Sequence, residues 1–519
     1  MAEWLNLGQS VKVRAKTNPD RVSFQDAQRE FTYEQTNRRA NILANRLVEA
    51  GLEKTDRLAV IMENSIEMAE LFIAVAKTGI VIVPVNFRLA GPEIEYILKD
   101  SGARAVVADD EFAPEVDGVR RSLSGIKPGL FIVNGIELPG WRTLEKLFEN
   151  GDAAEPEADV RPEDTWIHIY TSGTTGKPKG VVRSHESHIA FYLINAVEFG
   201  FSEHDKCLNV MPLCHINSTF YTFTFTYIGG SAYIHPARSF KPHDILDIIE
   251  AYKITFISLI PTHYNLILNL SEDQRKKDVS SVKKLLCSSA PARKQTKTEV
   301  MEFFKGVELY EAYGSTEAGI VTVLKPEYQL RKLGSIGYEV AGADLVKLLD
   351  DQDKPVGPGK VGELYSKGPM LFDGYFNLPE KTADSFRDGW FSAGDMAIMD
   401  EDGFFTIVDR KDNMIITGGE NVYPSEVEEA VAAHDAVFDC ACIGVPDDKW
   451  GEKVVAAVTL KPGYEKQSVS GDEIRAFCRD RIAGYKIPKQ VFFLDDEEMP
   501  RTATGKILHR KLREKFFNG

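Results

Sequence analysis

The sequence predicts an α/β protein with a large N-terminal domain, a small β-rich subdomain and a small α+β C-terminal domain. Strand-like and helix-like stretches alternate over residues 1–150 and again over 205–325, which is typical of parallel sheets covered by helices. The pattern becomes β-rich over 345–405, and short strands and helices mix again after residue 414. We therefore expect an N-terminal domain over 1–410 and a C-terminal domain over 411–519.

The composition limits the classes of function. The chain has 519 residues, 43% of them hydrophobic, and a formal net charge of −16 at pH 7. This charge argues against a broad nucleic-acid-binding surface. We see neither a signal sequence nor a run of 18 apolar residues, so we expect no stable membrane insertion. The six cysteines are scattered along the chain, which favours a reduced, cytoplasmic compartment.

Individual elements follow from hydrophobic periodicity and from the turn residues that interrupt it. In the first part of the chain we predict a helix from 31 to 47, a buried strand over 57–62, an amphipathic helix over 66–77, and strands over 81–85 and 105–108. In the last part we predict helices over 425–433 and 470–483 and strands over 437–445 and 454–459. The acidic segment 149–164 is expected to be a solvated loop.

A segment rich in glycine and hydroxyl residues follows the predicted strand 166–170. It reads Thr171-Ser-Gly-Thr-Thr-Gly-Lys-Pro-Lys-Gly180. Glycine lets the backbone approach a ligand closely, and hydroxyl and main-chain N–H groups are phosphate donors. The segment is not a Walker A loop, because Gly173 and Gly176 are only three positions apart and Pro178 follows Lys177. These residues alone fit either a triphosphate-binding loop or a flexible surface loop.

Four further strand-like stretches between 205 and 325 end in polar or small residues. Ligands of open parallel sheets lie at the carboxyl ends of the strands, so we expect these four ends to form one site. One end includes His215, which fits a binding site and also fits a hydrogen-bonded core histidine. The stretch over 220–227 alternates aromatic and hydroxyl residues, and it suits a helix or a strand packed on the core.

Eight segments, in order and over essentially the whole chain, resemble motifs of AMP-forming acyl-CoA synthetases of the adenylate-forming (ANL) superfamily. They are Thr171 to Gly180, Pro212-Leu-Cys-His215, Ser289-Ala-Pro291, Tyr313-Gly-Ser-Thr-Glu317, Phe391-Ser-Ala-Gly-Asp395, Asp409-Arg-Lys-Asp412, Gly418-Gly-Glu-Asn421 and Pro500-Arg-Thr-Ala-Thr-Gly-Lys506. The layout is most like crotonobetaine/carnitine-CoA ligases and other short- or medium-chain acyl-CoA synthetases.

The resemblance implies two half-reactions. A carboxylic acid and ATP give an acyl-AMP and pyrophosphate, and the acyl-AMP and coenzyme A then give an acyl-CoA and AMP. It also implies Mg²⁺ and a mobile C-terminal domain that rotates between the two steps. One alternative is transfer of the acyl group to the pantetheine of a carrier protein. Another is a non-catalytic acyl-adenylate sensor, which would be expected to have lost Glu317, Asp395 or Lys506, and none of them is lost.

The resemblance also implies roles for individual residues. The implied catalytic residues are Lys506, Thr316, Glu317 and His215, and Glu317 also holds the metal. The implied ATP- and AMP-binding residues are Thr171, Ser172, Gly173, Thr174, Thr175, Gly176, Lys177, Lys179, Ser289, Ala290, Pro291, Glu311, Ala312, Tyr313, Gly314, Ser315, Asp395 and Arg410. The implied acyl pocket contains His215, Asn217, Thr262, Tyr264 and Gly314. The implied hinge is Asp412, and the implied path of coenzyme A passes Gly418, Gly419 and Glu420.

The expected substrate is a modest, largely apolar carboxylic acid, because the segment from Met211 to Tyr227 is apolar and aromatic. The sequence names no particular acid and no physiological direction for the reaction. A second copy of the chain and a lysine acetyltransferase acting on Lys506 are the candidate protein partners.

Overall fold

The computed structural model describes residues 6–171, 177–236, 238–288, 292–341, 346–418, 420–466, 468–501 and 507–517. It confirms the α/β fold class. The chain divides into two compact units. The first comprises Met1–Leu333, Glu339–Leu345 and Ser366–Phe391, and the second comprises Gly334–Tyr338, Val346–Tyr365 and Ser392–Gly519. The domain boundary predicted at residue 410 is the point after which the C-terminal part is expected to move, and it stays a prediction.

The helices are numbered in chain order. Helices α1 to α16 are Leu7–Thr17, Tyr33–Glu49, Ile66–Thr78, Gly91–Asp100, Ala113–Val119, Leu144–Phe148, His185–Phe199, Ile216–Ile228, Pro242–Tyr252, Pro261–Leu268, Glu272–Arg275, Lys294–Phe303, Pro379–Asp384, Pro424–Ala432, Gly471–Cys478 and His509–Phe517. Among them, none combines the length and the apolar character that crossing a membrane requires.

The strands are numbered in the same way. Strands β1 to β15 are Val22–Gln25, Glu30–Thr32, Arg57–Ile61, Val81–Pro84, Ala103–Asp109, Phe131–Asn134, Arg142–Thr143, Thr165–Thr171, Lys179–Ser184, Lys206–Asn209, Ser231–Ile234, Phe256–Leu259, Lys284–Cys287, Glu308–Ser315 and Gly319–Leu324. Strands β16 to β27 are Tyr338–Glu339, Lys347–Leu349, Val361–Ser366, Gly374–Tyr375, Phe386–Arg387, Trp390–Met399, Phe405–Arg410, Ile415–Thr417, Glu420–Val422, Val437–Asp447, Gly451–Leu460 and Gln490–Phe493.

Two mixed sheets form the first unit. One has the strand order β16, β15, β14, β13, β12, β10, β11, β1 and β2, and its neighbours from β14 to β1 are parallel. The other has the order β19, β9, β8, β4, β3, β5, β6 and β7, and the hairpin of β8 and β9 is antiparallel within it. Parallel strands that are buried on both faces explain the continuous apolar runs seen in the sequence.

Helix α3 confirms the helix predicted over 66–77, but the expectation that it is amphipathic, with one face in solvent, is wrong because α3 lies in the core. Every residue from Ile66 to Thr78 except Glu67 is buried. Phe72 packs against Trp166 of β8 and Phe223 of α8, with ring centroids 5.9 and 5.2 Å apart. The charged side chains of α3 are paired inside the protein instead of facing solvent: Arg39 donates to the buried Glu70, and the buried Lys77 donates to Glu155.

The segment 149–164 has no regular secondary structure, but its backbone is held in place rather than freely solvated. Asn45 Nδ2 donates hydrogen bonds to the carbonyl oxygens of Asp152 and Ala154. The buried Lys77 ammonium donates to Glu155 Oε2 at 2.8 Å. The segment therefore lies along the first unit as a fixed strap.

The second unit also contains two sheets. In one, β18 lies between β17 and β21, and β22 pairs with β21. In the other, the order is β24, β23, β26 and β25, and β27 pairs with β26. Cys440 and Cys442 lie on β25 in one buried cluster, and all six cysteines, each within the described residues, are buried and form no disulfide. Helix α15 ends at Cys478, five residues before the end that we predict from the sequence.

Candidate active site

The site is built at one edge of the first sheet. Strands β10, β12, β13 and β14 are parallel neighbours, so their carboxyl ends lie together. Asn217, after β10, donates to Ser288 Oγ, after β13, at 3.2 Å. It also accepts a hydrogen bond from Ser258 Oγ of β12 at 3.1 Å. The structure thus brings the predicted strand ends together.

The segment that follows β12 is helical where a loop was expected, whereas residues 210–215 after β10 form a loop that leads into α8. His215 is the residue before α8, and Asn217 is in its first turn. Pro261 is the first residue of α10, a position that favours proline, so Thr262 and Tyr264 lie on that helix. Thr262 is exposed. Tyr264 is 1% exposed and its hydroxyl donates to the carbonyl oxygen of Leu286 at 2.9 Å.

His215 has an environment that keeps it uncharged. Burial and, to a smaller extent, the charge of Arg88 lower the pKa of His215 to about 4. Its Nε2 atom is buried and has no hydrogen-bond partner among the described residues. A neutral imidazole with one unpartnered nitrogen fits the wall of a pocket better than a source of positive charge.

A compact polar cluster lies between the two sheets and is formed by Lys179, Glu317 and Tyr375. Lys179 Nζ donates to Tyr375 Oη at 2.6 Å and lies 3.3 Å from Glu317 Oε1. Tyr375 Oη donates to the same Glu317 oxygen at 2.9 Å. Both bonds to the carboxylate use Oε1, and Oε2 has no hydrogen-bond partner within the described part of the chain.

The hairpin that carries the Gly-rich segment places its two ends against each other. Thr171 at the end of β8 is the Cα partner of Lys179 at the start of β9. Thr171 Oγ1 is buried and has no hydrogen-bond partner among the described residues. Lys177 is exposed, and its Nζ lies 5.4 Å from the centre of the Tyr96 ring. Residues Ser172, Gly173, Thr174, Thr175 and Gly176 lie outside the described residues.

Strand β14 carries the next predicted segment. Glu311 Oε1 accepts a hydrogen bond from the Ala292 amide at 3.0 Å, and Lys297 Nζ donates to Oε2. Burial raises the pKa of Glu311, and the Lys297 ammonium opposes that shift. Ala312, Tyr313 and Gly314 continue the strand, and it ends at Ser315. Ser289, Ala290 and Pro291 lie outside the described residues.

Asp395 and Arg410 lie in the second unit. They are Cα partners on β21 and β22, and Arg410 Nε lies 2.6 Å from Asp395 Oδ1. Arg410 also donates to the carbonyl oxygen of Ala393 at 2.9 Å. The Asp395 side chain is 8% exposed and that of Arg410 is 42% exposed. The pair leaves the arginine accessible to a ligand.

The remaining predicted residues lie in the C-terminal part. Asp412 lies in a short 3₁₀ helix, Lys411–Asn413. Gly418 has a φ of +61°, and a Cβ there would lie 3.0 Å from the Trp450 ring. Glu420 starts β24. Gly419 and Lys506 lie outside the described residues.

Two residues of the site were not found from the sequence. Tyr375 lies on β19, which pairs with β9 and so places the tyrosine beside Lys179. Arg183 lies on β9 and donates to the carbonyl oxygen of Thr316 at 2.8 Å. Neither belongs to a segment with a recognisable pattern. The local sequence gives little signal, because Arg183 follows two valines and is itself followed by Ser184 and His185.

Family models and known proteins match the chain over most of its length. The AMP-binding enzyme model matches residues 11–376, and the model of the AMP-binding enzyme C-terminal domain matches residues 426–506. Feruloyl-CoA synthase of Amycolatopsis sp. is 35% identical over 506 residues, covering 97% of each protein. A long-chain-fatty-acid–CoA ligase of Mycobacterium tuberculosis (strain CDC 1551 / Oshkosh) is 34% identical over 516 residues, covering 98% of each.

A solved structure agrees with this result. The o-succinylbenzoate coenzyme A synthetase of Bacillus subtilis, in complex with ATP and magnesium ion, aligns with a TM-score of 0.84 and 29% identity. The alignment covers 97% of this chain and 98% of that one. The chain therefore belongs to the AMP-binding enzyme family.

Proposed function

We propose that this protein is an ATP-dependent acid–thiol ligase that joins a carboxylic acid to coenzyme A through an acyl-adenylate. The observation that carries the proposal is the polar cluster of Lys179, Glu317 and Tyr375 at the base of the Gly-rich hairpin. It offers a lysine to phosphate oxygens, and it offers Glu317 Oε2, which has no hydrogen-bond partner among the described residues. That combination fits a nucleoside triphosphate together with a divalent cation.

The donor set fits Mg²⁺. This ion prefers oxygen ligands and is usually held by one or two carboxylates together with substrate phosphates. Glu317 Oε2 is a suitable oxygen, and no group of three or more His, Cys, Asp or Glu among the described residues forms a dedicated metal cage. When bound, the ion would neutralise charge on the phosphates. Lys179 and Tyr375 hold the Glu317 carboxylate in a fixed orientation for it.

The first half-reaction brings a carboxylate to the α-phosphate, so two anions must approach each other. Preorganised cations and oriented donors stabilise the charge that develops there. We assign Lys177, Lys179 and the Gly-rich segment to the β- and γ-phosphates and Thr316 to the α-phosphate. Lys506 serves the carboxylate and the α-phosphate in this step. Thr171 Oγ1, which has no described partner, is available to a phosphate oxygen.

The remaining nucleotide contacts are proposed on the same basis. Asp395 accepts hydrogen bonds from the ribose hydroxyls, and Arg410 contacts the adenylate. Their exposure supports these roles, because the paired Arg410 side chain is 42% exposed and that of Asp395 is 8% exposed. The adenine lies along Ser289 to Pro291 and Glu311 to Tyr313. After the C-terminal part rotates about Asp412, Gly418, Gly419 and Glu420 lie along the pantetheine of coenzyme A.

The acid is proposed to be modest in size and largely apolar. Helix α8, which follows His215, buries Phe220, Phe223 and Phe225. Hydrophobic acyl pockets distinguish acids that differ by one methylene by only about 1–3 kcal/mol, so several related acids should react. The related proteins named above act on aromatic and fatty acids according to their names. The narrower likeness to crotonobetaine/carnitine-CoA ligases stays a prediction, as do a homodimer and acetylation of Lys506.

A panel of acids tests the activity. Pyrophosphate release and thioester formation are measured with short, branched, cyclic, aromatic and long-chain acids and with an amino acid, each with coenzyme A and with a carrier-protein pantetheine as acceptor. We expect several apolar acids to form CoA thioesters. Exclusive reaction with the amino acid or a long-chain acid would refute the proposed substrate class, and acceptance of the carrier alone would favour carrier loading.

Lys506→Ala tests the division between the half-reactions. Loss of one preorganised charge should slow adenylation by ~10²-fold or more. Turnover of supplied acyl-adenylate with coenzyme A should stay close to wild type, because that step does not need the lysine. Lys511→Ala, an exposed lysine of the nearby helix α16, is the control and should leave both steps unchanged. Equal losses in both steps would show that Lys506 has no separate role in the first.

A further inference from the structure

Arg183 is a fully buried cation in the core of the first unit. Its side chain is 0% exposed. Nη1 donates to the carbonyl oxygens of Thr316 at 2.8 Å and Glu317 at 3.4 Å, and Nη2 donates to that of Met370 at 2.6 Å. Among the described residues, no carboxylate forms an ion pair or a hydrogen bond with this guanidinium, and its Nε is unpartnered.

Stability alone does not account for such a residue. Burial lowers the pKa of Arg183 to about 10, so the side chain stays charged at neutral pH. Removing a cation from water is expensive, and apolar side chains of similar volume often replace buried charges with no loss of stability. The guanidinium also lies over the Phe220 ring, 5.1 Å from its centre, where an apolar side chain would pack well.

The hydrogen bonds of Arg183 converge on the residue that carries the polar cluster. The Glu317 carbonyl oxygen accepts from Arg183 and also from the Phe372 amide, at 2.8 Å. The Glu317 carboxylate accepts from Tyr375. Both ends of Glu317 are thus fixed by residues distant in sequence. A planar guanidinium joins the two loops through two separate nitrogens in a fixed plane, whereas all the donors of lysine lie on one nitrogen at the end of a flexible stem.

We propose that Arg183 is a positioning residue for the metal–nucleotide site. It holds the backbone of Thr316 and Glu317 so that the Glu317 carboxylate faces a cation bound to the triphosphate. This inference rests on the proposed function, because it assigns Glu317 to Mg²⁺. Removing a group that orients a metal ligand typically weakens metal binding by about 10- to 100-fold.

Nucleotide binding provides a test that does not depend on turnover. ATP affinity is measured by calorimetry with Mg²⁺ and with a chelator, and the ratio is the Mg²⁺-dependent gain. We expect Arg183→Met to reduce that gain by about tenfold, the lower end for loss of an orienting partner. Arg183→Lys should lose most of it too, because one ammonium does not reproduce the fixed positions of Nη1 and Nη2, which bind Thr316 and Met370. A full gain in the lysine variant would overturn the positioning role.

Arg57→Met is the control for the purely structural effect of losing an arginine. Arg57 also donates to three backbone carbonyl oxygens, those of Ser101, Thr55 and Gly102, and none of them belongs to the site. Arg57→Met should lower the melting temperature and leave the Mg²⁺-dependent gain unchanged. If Arg183→Met does not fold, Arg183→Gln is measured instead, since it keeps hydrogen-bond donors without the charge.

Glu317→Gln distinguishes failure of the inference from failure of the proposed function. If Glu317→Gln keeps the full gain, the metal role of Glu317 is wrong and the inference falls with it. If Glu317→Gln loses the gain and Arg183→Met keeps it, only the inference is overturned. When Arg183 acts through Glu317, the double variant should lose no more than Glu317→Gln alone. Additive losses would mean that Arg183 acts independently.

Discussion

Gly314 shows how closely two strands approach at the nucleotide motif. A Cβ placed on Gly314 would lie 2.0 Å from the carbonyl oxygen of Gly319, well inside contact distance. The neighbouring atom is backbone, so no side-chain rotation can relieve the clash. The register of β14 and β15 also shifts between Tyr313 and Gly314. Any side chain at Gly314 must therefore push β15 away and displace the turn that carries Glu317.

Gly314→Ala should lower stability and activity together. Overpacking of this kind typically destabilises by about 1–3 kcal/mol. Because the displaced turn carries Thr316 and Glu317, pyrophosphate release should fall more than the loss of folded protein explains. Gly118→Ala is the matched control, since Gly118 lies on helix α5 with no atom within 4 Å of its Cβ position. Denaturant unfolding and initial rates measure both effects, and unchanged unfolding in Gly314→Ala would contradict the packing argument.

The sequence identifies Glu317 and Gly314 through local motifs, but it does not identify Arg183 or Tyr375. The bonds of Arg183 reach Thr316 and Met370, which are 133 and 187 positions away. Tyr375 reaches Glu317 across 58 positions. A side chain that acts on a distant backbone leaves no pattern near itself. Such residues become visible only when the fold brings the segments together.

At the scale of elements, the sequence predicts existence and type better than environment. Strands 57–62, 81–85 and 105–108 are present within two residues of their predicted bounds. The stretch 220–227 fits either element by sequence, and it is part of helix α8. Its threonines satisfy their hydroxyls within the helix, because Thr224 and Thr226 donate to the carbonyl oxygens of Phe220 and Thr222. This internal bonding lets hydroxyl residues lie in a fully buried helix.

The strap over residues 149–164 provides a test at this scale. Glu155 accepts from Lys77 and Asn37 at 2.8 and 2.7 Å, while the Lys77 side chain is only 4% exposed. Glu155→Gln should destabilise the protein by about 1–2 kcal/mol, less than for a fully enclosed pair because Glu155 is partly exposed. Limited proteolysis should then cut within the strap faster, with pyrophosphate release nearly unchanged.

Glu157→Gln is the control for the strap, because Glu157 is exposed in the same segment. It should leave both stability and proteolysis unchanged. Adding Lys77→Met to Glu155→Gln removes the buried charge that lost its partner, and it should restore part of the stability. If Glu155→Gln and Glu157→Gln are cut within the strap at the same rate, the pair of Glu155 and Lys77 does not hold the strap.

At the scale of the whole molecule, one site must serve two reactions with different needs. Adenylation needs Lys506 in the site, and thioester formation needs an open path for the thiol. Two contacts in the second unit join residues on either side of Asp412 in the observed conformation. Asp409 Oδ2 accepts from the Ser425 amide at 2.9 Å, and Ser425 Oγ donates to the carbonyl oxygen of Val408. A rotation about Asp412 would break both hydrogen bonds, so it would replace one defined conformation of the second unit by another.

Asp412→Pro tests the hinge. Proline fixes φ near −65°, which is within the range of the 3₁₀ helix in which residue 412 lies. The variant should therefore fit the local backbone and resist rotation about residue 412. We expect acyl-adenylate formation to survive and thioester formation to slow by orders of magnitude, each measured in single-turnover assays. Asp412→Ala removes the side chain without restricting φ, so it should slow the second step far less. If the alanine variant is as slow as the proline variant, the side chain of Asp412 matters rather than the backbone rotation. If both half-reactions are unchanged in Asp412→Pro, the pivot lies at another residue.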